Sequence, residues 1–579
     1  MKRYLFFLTF CLLCGSISAQ IKWYDPMEAG FPVIQNQGFI DEIGNCYVRL
    51  PNRAHGVVRN DVWNLSRHSA GLSISFYCSS PQISIRYVTT NTKDFGMQHM
   101  PATGVSGVDL YSIDSDGKWR FCYGGFSFGD TIRTTYSHLG KDKYHNEGFE
   151  YRLYLPLYNG VKWLNIGIPE NERITFIPAS TEKPIVIYGT SIAQGACASR
   201  PGQAWGNILQ RTIDYPVINL GFSGNGKLEP EVLNFINEID SRLYILDCIP
   251  NLTDSKAEKV YSLVLAAIKQ IRAKHATPIL LVEHAGYSNA ETDSTRMNYK
   301  QSNEASLKAY KQLKAEGVKD LYYISHDDLN FDPNMWVDYV HPSDWGMVQQ
   351  AKIIEKKVRE ILRIPIGNSI TTQPVTQRRE PNSYEWRTRH RDIIKCVKEH
   401  APKAVILGNS ITHYWGGAPY GQHKNGEQTW NNVMEKAGFQ NMGCGWDRIE
   451  NVLWRVYHGE LDGYQTNKVV LMIGTNNKGF NSDNEIVEGL HFLLSAIHER
   501  QPKAIIKVIG ILPRRNDETW IKTINQKIRQ MTIKAGYLFI NAGTPLLKKN
   551  GKIDENLFIG DGLHPNEKGY SLIAKLISE

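Results

Sequence analysis

Hydrophobic positions along this chain fall into three successive textures. From about 20 to 181 they alternate with polar ones in short runs, as in 71–77 and 82–87, which is how half-buried strands read. Ser115-Asp116-Gly117 separates the run 108–113 from 119–123, and Asn159-Gly160 separates 151–158 from 161–168, so both sites read as hairpin turns. Many short strands at this spacing predict an all-β sandwich of jelly-roll type. At Lys183 the texture changes to solid apolar runs at 184–188, 216–220, 243–246, 278–282 and 321–324, alternating with helix-length amphipathic segments. Such runs suit strands buried on both faces, and the alternation predicts a three-layer α/β/α unit with a mostly parallel sheet over 182–365. Residues 366–385 lack periodicity and are rich in Thr, Gln, Pro and Arg, and so read as a linker. The α/β texture then restarts, with buried-strand candidates at 404–407, 469–473, 505–511 and 537–541, placing a second unit of the same flavodoxin-like kind over 386–579.

The amino terminus bears on compartment. Lys2 and Arg3 precede an apolar stretch at 4–13, and Gly15, Ser16, Ser18 and Ala19 supply small residues before Gln20. This pattern predicts a cleaved signal peptide over 1–19 and a secreted or periplasmic product, because the stretch falls short of the ~20 residues of a bilayer span. No later segment has transmembrane length. Removing Cys11 and Cys14 with the leader leaves seven of the nine cysteines, an odd and scattered set that excludes a disulfide-framework fold. A net charge of +8 without a basic run gives no case for nucleic acid.

In open parallel sheets, reactive groups gather at the carboxyl ends of the strands. In the first α/β unit those ends carry Gly189-Thr190-Ser191-Ile192, Asn219-Leu220-Gly221-Phe222-Ser223-Gly224, Asp247-Cys248-Ile249-Pro250-Asn251 and, before the last helix, Asp338-Tyr339-Val340-His341-Pro342. The second unit repeats the order with Gly408-Asn409-Ser410-Ile411, Asn441-Met442-Gly443-Cys444-Gly445-Trp446-Asp447, Gly474-Thr475-Asn476-Asn477 and Asp561-Gly562-Leu563-His564-Pro565. Serine and histidine stand 150 residues apart in one unit and 154 in the other. One such tetrapeptide carries little weight, but four in the same order, twice, are hard to ascribe to chance.

These blocks resemble those of the SGNH (GDSL-type) hydrolases, named for their Ser, Gly, Asn and His motifs. The first unit is similar to the branch whose amino-terminal β-domain carries a Gly-x-Asp-Leu-Tyr stretch, here Gly107-Val108-Asp109-Leu110-Tyr111. The second, with Val452-Leu453-Trp454-Arg455 and its Gly-Thr-Asn-Asn block, resembles platelet-activating-factor-acetylhydrolase-like and carbohydrate-esterase members. The resemblance implies an esterase, many members of which remove O-acetyl groups from polysaccharides.

Physical reasoning agrees with that implication. A serine hydroxyl needs a base to take its proton, and an aspartate must orient the imidazole that does so. Ser191 with His341 and Asp338, and Ser410 with His564 and Asp561, are the expected nucleophile, base and orienter sets. Each serine N–H, the N–H at Gly224 or Trp446, and the side-chain amide of Asn251 or Asn476 would form an oxyanion hole. Trp446 stands where the pattern has glycine, and a positive φ there would be costly for tryptophan. Plainer readings exist for each residue. The serines could cap helices, the asparagines could tie turns, and Asp-x-x-His could cap a helix or ligate a metal. No third ligand lies at compatible spacing, so neither metal nor cofactor is expected. His284 reads as structural or pocket-lining. Gly367-Asn368-Ser369-Ile370 duplicates the second nucleophile block, but it lies in the aperiodic segment and Ser369 is assigned no role.

Trp205, Trp345 and Trp415, with Trp446, lie near the blocks and are candidate sugar-stacking residues. Cys197 and Cys248 fall on loops near Ser191 and could form a disulfide. The overall expectation is a secreted esterase with two active sites acting on an acetylated polysaccharide or oligosaccharide. The alternatives are an esterase or thioesterase for lipid or small acyl substrates, and a glycan-binding protein with an inactive unit.

Overall fold

The computed structural model describes residues 20–142, 144, 147–380 and 383–579. The signal-peptide expectation for 1–19 lies outside them. No helix among the described residues is long and apolar enough to cross a membrane.

The amino-terminal part is a sandwich of two antiparallel sheets. One runs Ile21–Tyr24, Val161–Pro169, Ile83–Thr89, Ile132–Tyr136, Gly124–Ser127; the other runs Ile174–Phe176, Ser73–Cys78, Phe149–Tyr154, Asp109–Ile113, Trp119–Cys122, with Ile34–Gln35 beside Ser73–Cys78. Ile74, Phe76, Ile85, Leu110, Leu153 and Leu164 fill the space between them. The Ser115-Asp116-Gly117 turn closes a hairpin in which Ile113 pairs with Trp119. Asn159-Gly160 does not: Phe149–Tyr154 pairs within one sheet and Val161–Pro169 within the other. The Asn159 side chain makes this corner by hydrogen bonding instead of by a tight turn. Its Oδ1 accepts from the Asn91 N–H and Thr90 Oγ1, and its Nδ2 donates to Asn91 O and Ser106 Oγ.

Each α/β unit is built on five parallel strands. In spatial order the first sheet is Val217–Gly221, Ile185–Gly189, Leu243–Asp247, Ile279–Val282, Leu321–Ile324. The second is Phe439–Gly443, Ala404–Gly408, Lys468–Met472, Ile505–Ile509, Leu538–Ile540. Phe439–Gly443 escapes a search for apolar runs because Gln440 and Asn441 interrupt it. In both sheets the chain order 2-1-3-4-5 puts a topological switch point beside the first strand, where the crevice that takes ligands forms. Helices cover both faces, and buried Val, Ile and Leu from strands and helices interlock beneath them.

The three parts are not strung loosely. One hydrophobic cluster runs from Ile187 and Trp205 through Ile354 to Trp386, Trp454 and Leu490, joining the two α/β units. Tyr215 donates to Tyr457 O at 2.5 Å, Trp454 Nε1 to Asp214 at 3.1 Å, and His458 Nδ1 lies 3.0 Å from Glu182. The 366–385 segment, expected as a linker, is a packed strap in its described residues. Thr371 donates to Glu485 O on the helix Asp483–Arg500, and buried Arg378 and Arg379 pair with Glu150 and Asp116 of the sandwich. Its sequence is aperiodic because its side chains reach different partners in turn, so no single face repeats.

The Gly-x-Asp-Leu-Tyr stretch has a docking role. Asp109 accepts from Arg200 (2.6 Å) and from the Gly202 N–H (2.8 Å), and Arg200 also donates to the Tyr111 hydroxyl at 2.7 Å. Thr103 donates to Ser199 O, so the sandwich clamps the 197–202 loop of the first unit.

Candidate active sites

Each serine owes its position to the turn that follows its strand. After Ile185–Gly189, Thr190 takes extended backbone and its Oγ1 accepts from the Ile192 N–H, which starts the helix Ser191–Gln194 at Ser191. After Ala404–Gly408, Asn409 caps the helix Ser410–His413 in the same way. The neighbouring strand braces both helices. Asn219 donates to Ala193 O at 2.7 Å and accepts from the Gly221 N–H; Asn441 donates to Thr412 O at 2.7 Å and accepts from the Gly443 N–H. A Cβ on Gly221 would stand 2.3 Å from Gln194 N, and one on Gly443 2.2 Å from His413 N, so only glycine lets strand and helix meet.

The structure brings each serine, histidine and aspartate together. His341 Nε2 lies 2.9 Å from Ser191 Oγ and its Nδ1 lies 2.8 Å from Asp338 Oδ2. In the second unit His564 Nε2 is 2.8 Å from Ser410 Oγ and Nδ1 is 2.6 Å from Asp561 Oδ2. The Asp-x-x-His spacing works because the other carboxylate oxygen accepts the backbone N–H groups of the intervening loop. Asp338 Oδ1 takes those of Val340 and His341, and Asp561 Oδ1 those of Leu563 and His564. Partial burial would raise the Asp338 carboxyl, but the imidazole and the two amides outweigh it and hold the group at about 2. Asp561 is lowered by the same balance. Both carboxylates are therefore ionised at neutral pH, and each keeps its imidazole Nδ1 protonated and Nε2 free to accept from the serine.

The turns after the second strands also correspond. Gly224 and Trp446 both lie in the left-handed region, at φ 69° and 63°. Trp446 thus carries the strain foreseen from its replacing glycine, and its ring stays exposed, 6.1 Å from that of Tyr144. Gln194 and His413, third after each serine, accept the N–H just before these turns, from Ser223 (3.0 Å) and Gly445 (3.2 Å). Asn251 Oδ1 accepts from the Gly226 N–H, leaving its amide NH2 to donate elsewhere. Asn476 Nδ2 donates to Asp447 O at 3.0 Å, leaving one N–H of that amide uncommitted.

Behind the second site lies a fully buried charge cluster. Arg455 donates to Asp447 Oδ2 (2.8 Å), to Glu460, and to the strand-end carbonyls of Met442 (3.0 Å) and Gly408 (3.3 Å). The paired Asn-x-Gly blocks could have exposed Asn219 and Asn441 to a sequence comparison of the two units. Nothing in the spacing pointed to the roles of Gln194, His413 or Arg455.

Several expectations are corrected. Trp205 and Trp415 are fully buried and cannot touch substrate: Trp205 lies in the core, and Trp415 stacks on Tyr570 at 4.7 Å. Trp345 is 52% exposed, four residues after His341. Cys197 and Cys248 are both free. They do not pair: Cys248 lies in a core cluster and donates to Tyr188 O, while Cys197 sits beside Asp338. His284 is buried, with Nδ1 accepting from the Gly286 N–H at 2.8 Å. Ser369 Oγ meets only the hydroxyls of Thr371 and Thr372 among the described residues. Spacing offered no third metal ligand, yet the fold brings His99 and Cys197 to Asp338 and His341.

A hydroxyl, imidazole and carboxylate in one hydrogen-bonded line, set at the switch point of a 2-1-3-4-5 sheet and built twice, define a protein of the serine-hydrolase class. Residues 182–359 and 406–572 match the GDSL-like lipase/acylhydrolase family, and 21–174 match the amino-terminal domain of SGNH-hydrolase-type esterases. The chain belongs to the GDSL/SGNH lipase-acylhydrolase family and is an ester-hydrolysing enzyme. Among solved structures it is similar to a GDSL-like lipase from Bacteroides ovatus, 31% identical, covering 60% of this chain and 100% of that one with a TM-score of 0.55. Curated relatives include platelet-activating factor acetylhydrolase IB subunit alpha1 of Bos taurus, 25% identical over 197 residues (33% of this chain, 80% of the relative). Subunit alpha2 of Homo sapiens is 26% identical over 200 residues (34% of this chain, 82% of the relative).

Proposed function

We propose that this protein is an exported carbohydrate acetylesterase with two working active sites. Ser191 and Ser410 are the nucleophiles, His341 and His564 the general bases, and Asp338 and Asp561 the groups that orient them. The observation that carries the reading is the completeness of both relays, each with serine, imidazole and carboxylate within 2.9 Å contacts. The serine oxygen attacks the acetyl carbonyl as the imidazole takes its proton. The alcohol then leaves with that proton, and water attacks the acyl-enzyme by the same route in reverse. The serine N–H, the N–H at Gly224 or Trp446 and the Asn251 or Asn476 amide receive the oxyanion, a donor of this kind being worth ~2.7–4 kcal/mol.

Three features support an acetylated glycan. Exposed Trp345 stands four residues after His341, and exposed Trp446 sits at the second oxyanion turn, offering aromatic faces to sugar rings. The curated relatives are named acetylhydrolases, which supports acetyl as the acyl group. The basic and apolar pattern of 1–19 supports export to where such polymers lie.

The test measures acetate release from acetylated xylan, acetylated pectin and p-nitrophenyl acetate by the intact chain, Ser191→Ala, Ser410→Ala and the double variant. Loss of all activity only in the double variant supports two working sites. Full activity in the double variant rejects the serine assignment. Activity confined to p-nitrophenyl acetate and other small or lipid-like esters moves the substrate away from polysaccharide.

A further inference from the structure

Four potential metal-ligand side chains from three parts of the chain converge beside the first relay. The ring of His99, from the sandwich, stacks on that of His341 with centroids 5.6 Å apart and planes at 21°. The ligand atoms of His99, Cys197, Asp338 and His341 all lie within 4.8 Å of one another, and no other such group occurs among the described residues. The Ser410 site therefore has no counterpart. Cys197 is placed by the loop that the sandwich clamps, in left-handed backbone at φ 68°. Burial first, and the Asp338 carboxylate second, push its thiol up to about 12, so without a cation it is a neutral thiol and no rival to Ser191.

We propose that these four side chains form a binding site for a zinc-type divalent cation that reversibly silences the first active site. The inference rests on the reading of Asp338 and His341 as members of the relay. Two imidazoles, a thiolate and a carboxylate match zinc's four-coordinate preference in number and donor type, and suit calcium or magnesium, which take oxygen ligands, poorly. Zinc bonds of ~2.0–2.3 Å require donors roughly 3.3–3.8 Å apart, so the group must contract by about 1 Å. His99 is exposed at the edge, so turning its side chain inward displaces no buried neighbour. Cys197 loses its proton to solvent on binding. Both ring nitrogens of His341 are already engaged, Nδ1 by Asp338 and Nε2 by Ser191, so a cation on either one displaces a relay hydrogen bond. Metal binding and catalysis at this site are mutually exclusive.

Two measurements on the full chain test this. Cobalt(II) serves as a spectroscopic probe and zinc is titrated against a chromophoric chelator, with calcium as control; neither readout needs activity. One equivalent should bind with a cobalt–thiolate charge-transfer band, absent in Cys197→Ser. His99→Ala, an exposed position that spares the fold, should weaken zinc more than about tenfold, the least expected for losing a ligand. In a Ser410→Ala background zinc should then abolish hydrolysis of p-nitrophenyl acetate, and chelator should restore it; in a Ser191→Ala background it should not. Binding unchanged in both variants, or lacking the thiolate band, overturns the site. Bound zinc that leaves Ser410→Ala fully active overturns the silencing. Metal-free hydrolysis in the two serine variants tests the relay reading separately.

Discussion

Arg455→Met perturbs the second active site without touching any member of its relay. Arg455 is fully buried and holds two carboxylates and two strand-end carbonyls, one of them Gly408 O, two residues before Ser410. Methionine keeps the stem and deletes every donor. Asp447 would retain Trp386 Nε1 at 2.7 Å and Gln377 Nε2 at 3.2 Å, and Glu460 would retain His390 Nδ1 at 2.9 Å. Breaking a buried pair by removing one partner costs ~3–5 kcal/mol. Burial pushes Asp447 up to about 6 even with Arg455 present. Without the arginine it takes up a proton, and the two losses do not simply add. A single cost of ~3–5 kcal/mol in a unit of this size lowers its melting midpoint by roughly 6–20 °C. Calorimetry should show the transition of the second unit moving down. Acetate release in a Ser191→Ala background should fall as the 443–447 loop loosens, while the Ser410→Ala background keeps its rate. Adding Asp447→Asn and Glu460→Gln should recover part of the stability, since a neutral cluster no longer buries unpaired charge. A midpoint shift below about 3 °C, or an equal loss of rate at both sites, refutes this account.

Three further outcomes follow from the geometry. Asp338→Asn in a Ser410→Ala background should cut kcat about 10⁴-fold by allowing the wrong imidazole tautomer, measured on p-nitrophenyl acetate; a loss under about tenfold would remove Asp338 from the relay. Trp446→Gly should relieve ~1 kcal/mol of left-handed strain and keep the backbone N–H, so in a Ser191→Ala background KM should rise on acetylated polymer with kcat on p-nitrophenyl acetate unchanged. A matching fall on both substrates would place the indole in the oxyanion turn instead of the sugar site. Asp247, fully buried beside Gln350, is pushed by burial up to about 7. The folded chain therefore keeps a proton that the unfolded chain has lost. Stability from this group is greatest below the ordinary carboxylate range and declines as pH rises toward 7, by on the order of 4 kcal/mol in all. Asp247→Asn should flatten that decline in urea midpoints measured from pH 4 to 8, and an unchanged slope would contradict it.

The two sheets were legible because their central strands are buried on both faces and so read as unbroken apolar runs. Where polar residues enter a strand, as Gln440 and Asn441 do, the signal fails. The serine, histidine and aspartate positions were legible because they sit at strand ends and on one short loop, and because the chain states the pattern twice. Turn chemistry was less reliable. Asn159-Gly160 has hairpin composition, yet its asparagine is spent on side-chain bonds that join two sheets. Tryptophans near a motif in sequence proved no guide to exposure: Trp205 and Trp345 both lie close to a relay residue, and only the second reaches solvent.

Amino-acid order alone determined the strand runs through periodicity, the Asp-x-x-His loops through contacts within three residues, and the two serine-to-histidine frames because the chain repeats the same blocks in the same order. Tertiary packing decided the rest: that the 366–385 strap binds the sandwich, that Arg455 holds Asp447 and two strand-end carbonyls behind Ser410, and that His99 and Cys197 meet at His341. The strap and His99 contacts join residues from about 100 to more than 240 positions apart, while Arg455 reaches partners 5 to 47 positions away on other elements. The free energy that selects them comes from burial and charge pairing across separate elements, which hydrophobic periodicity does not encode.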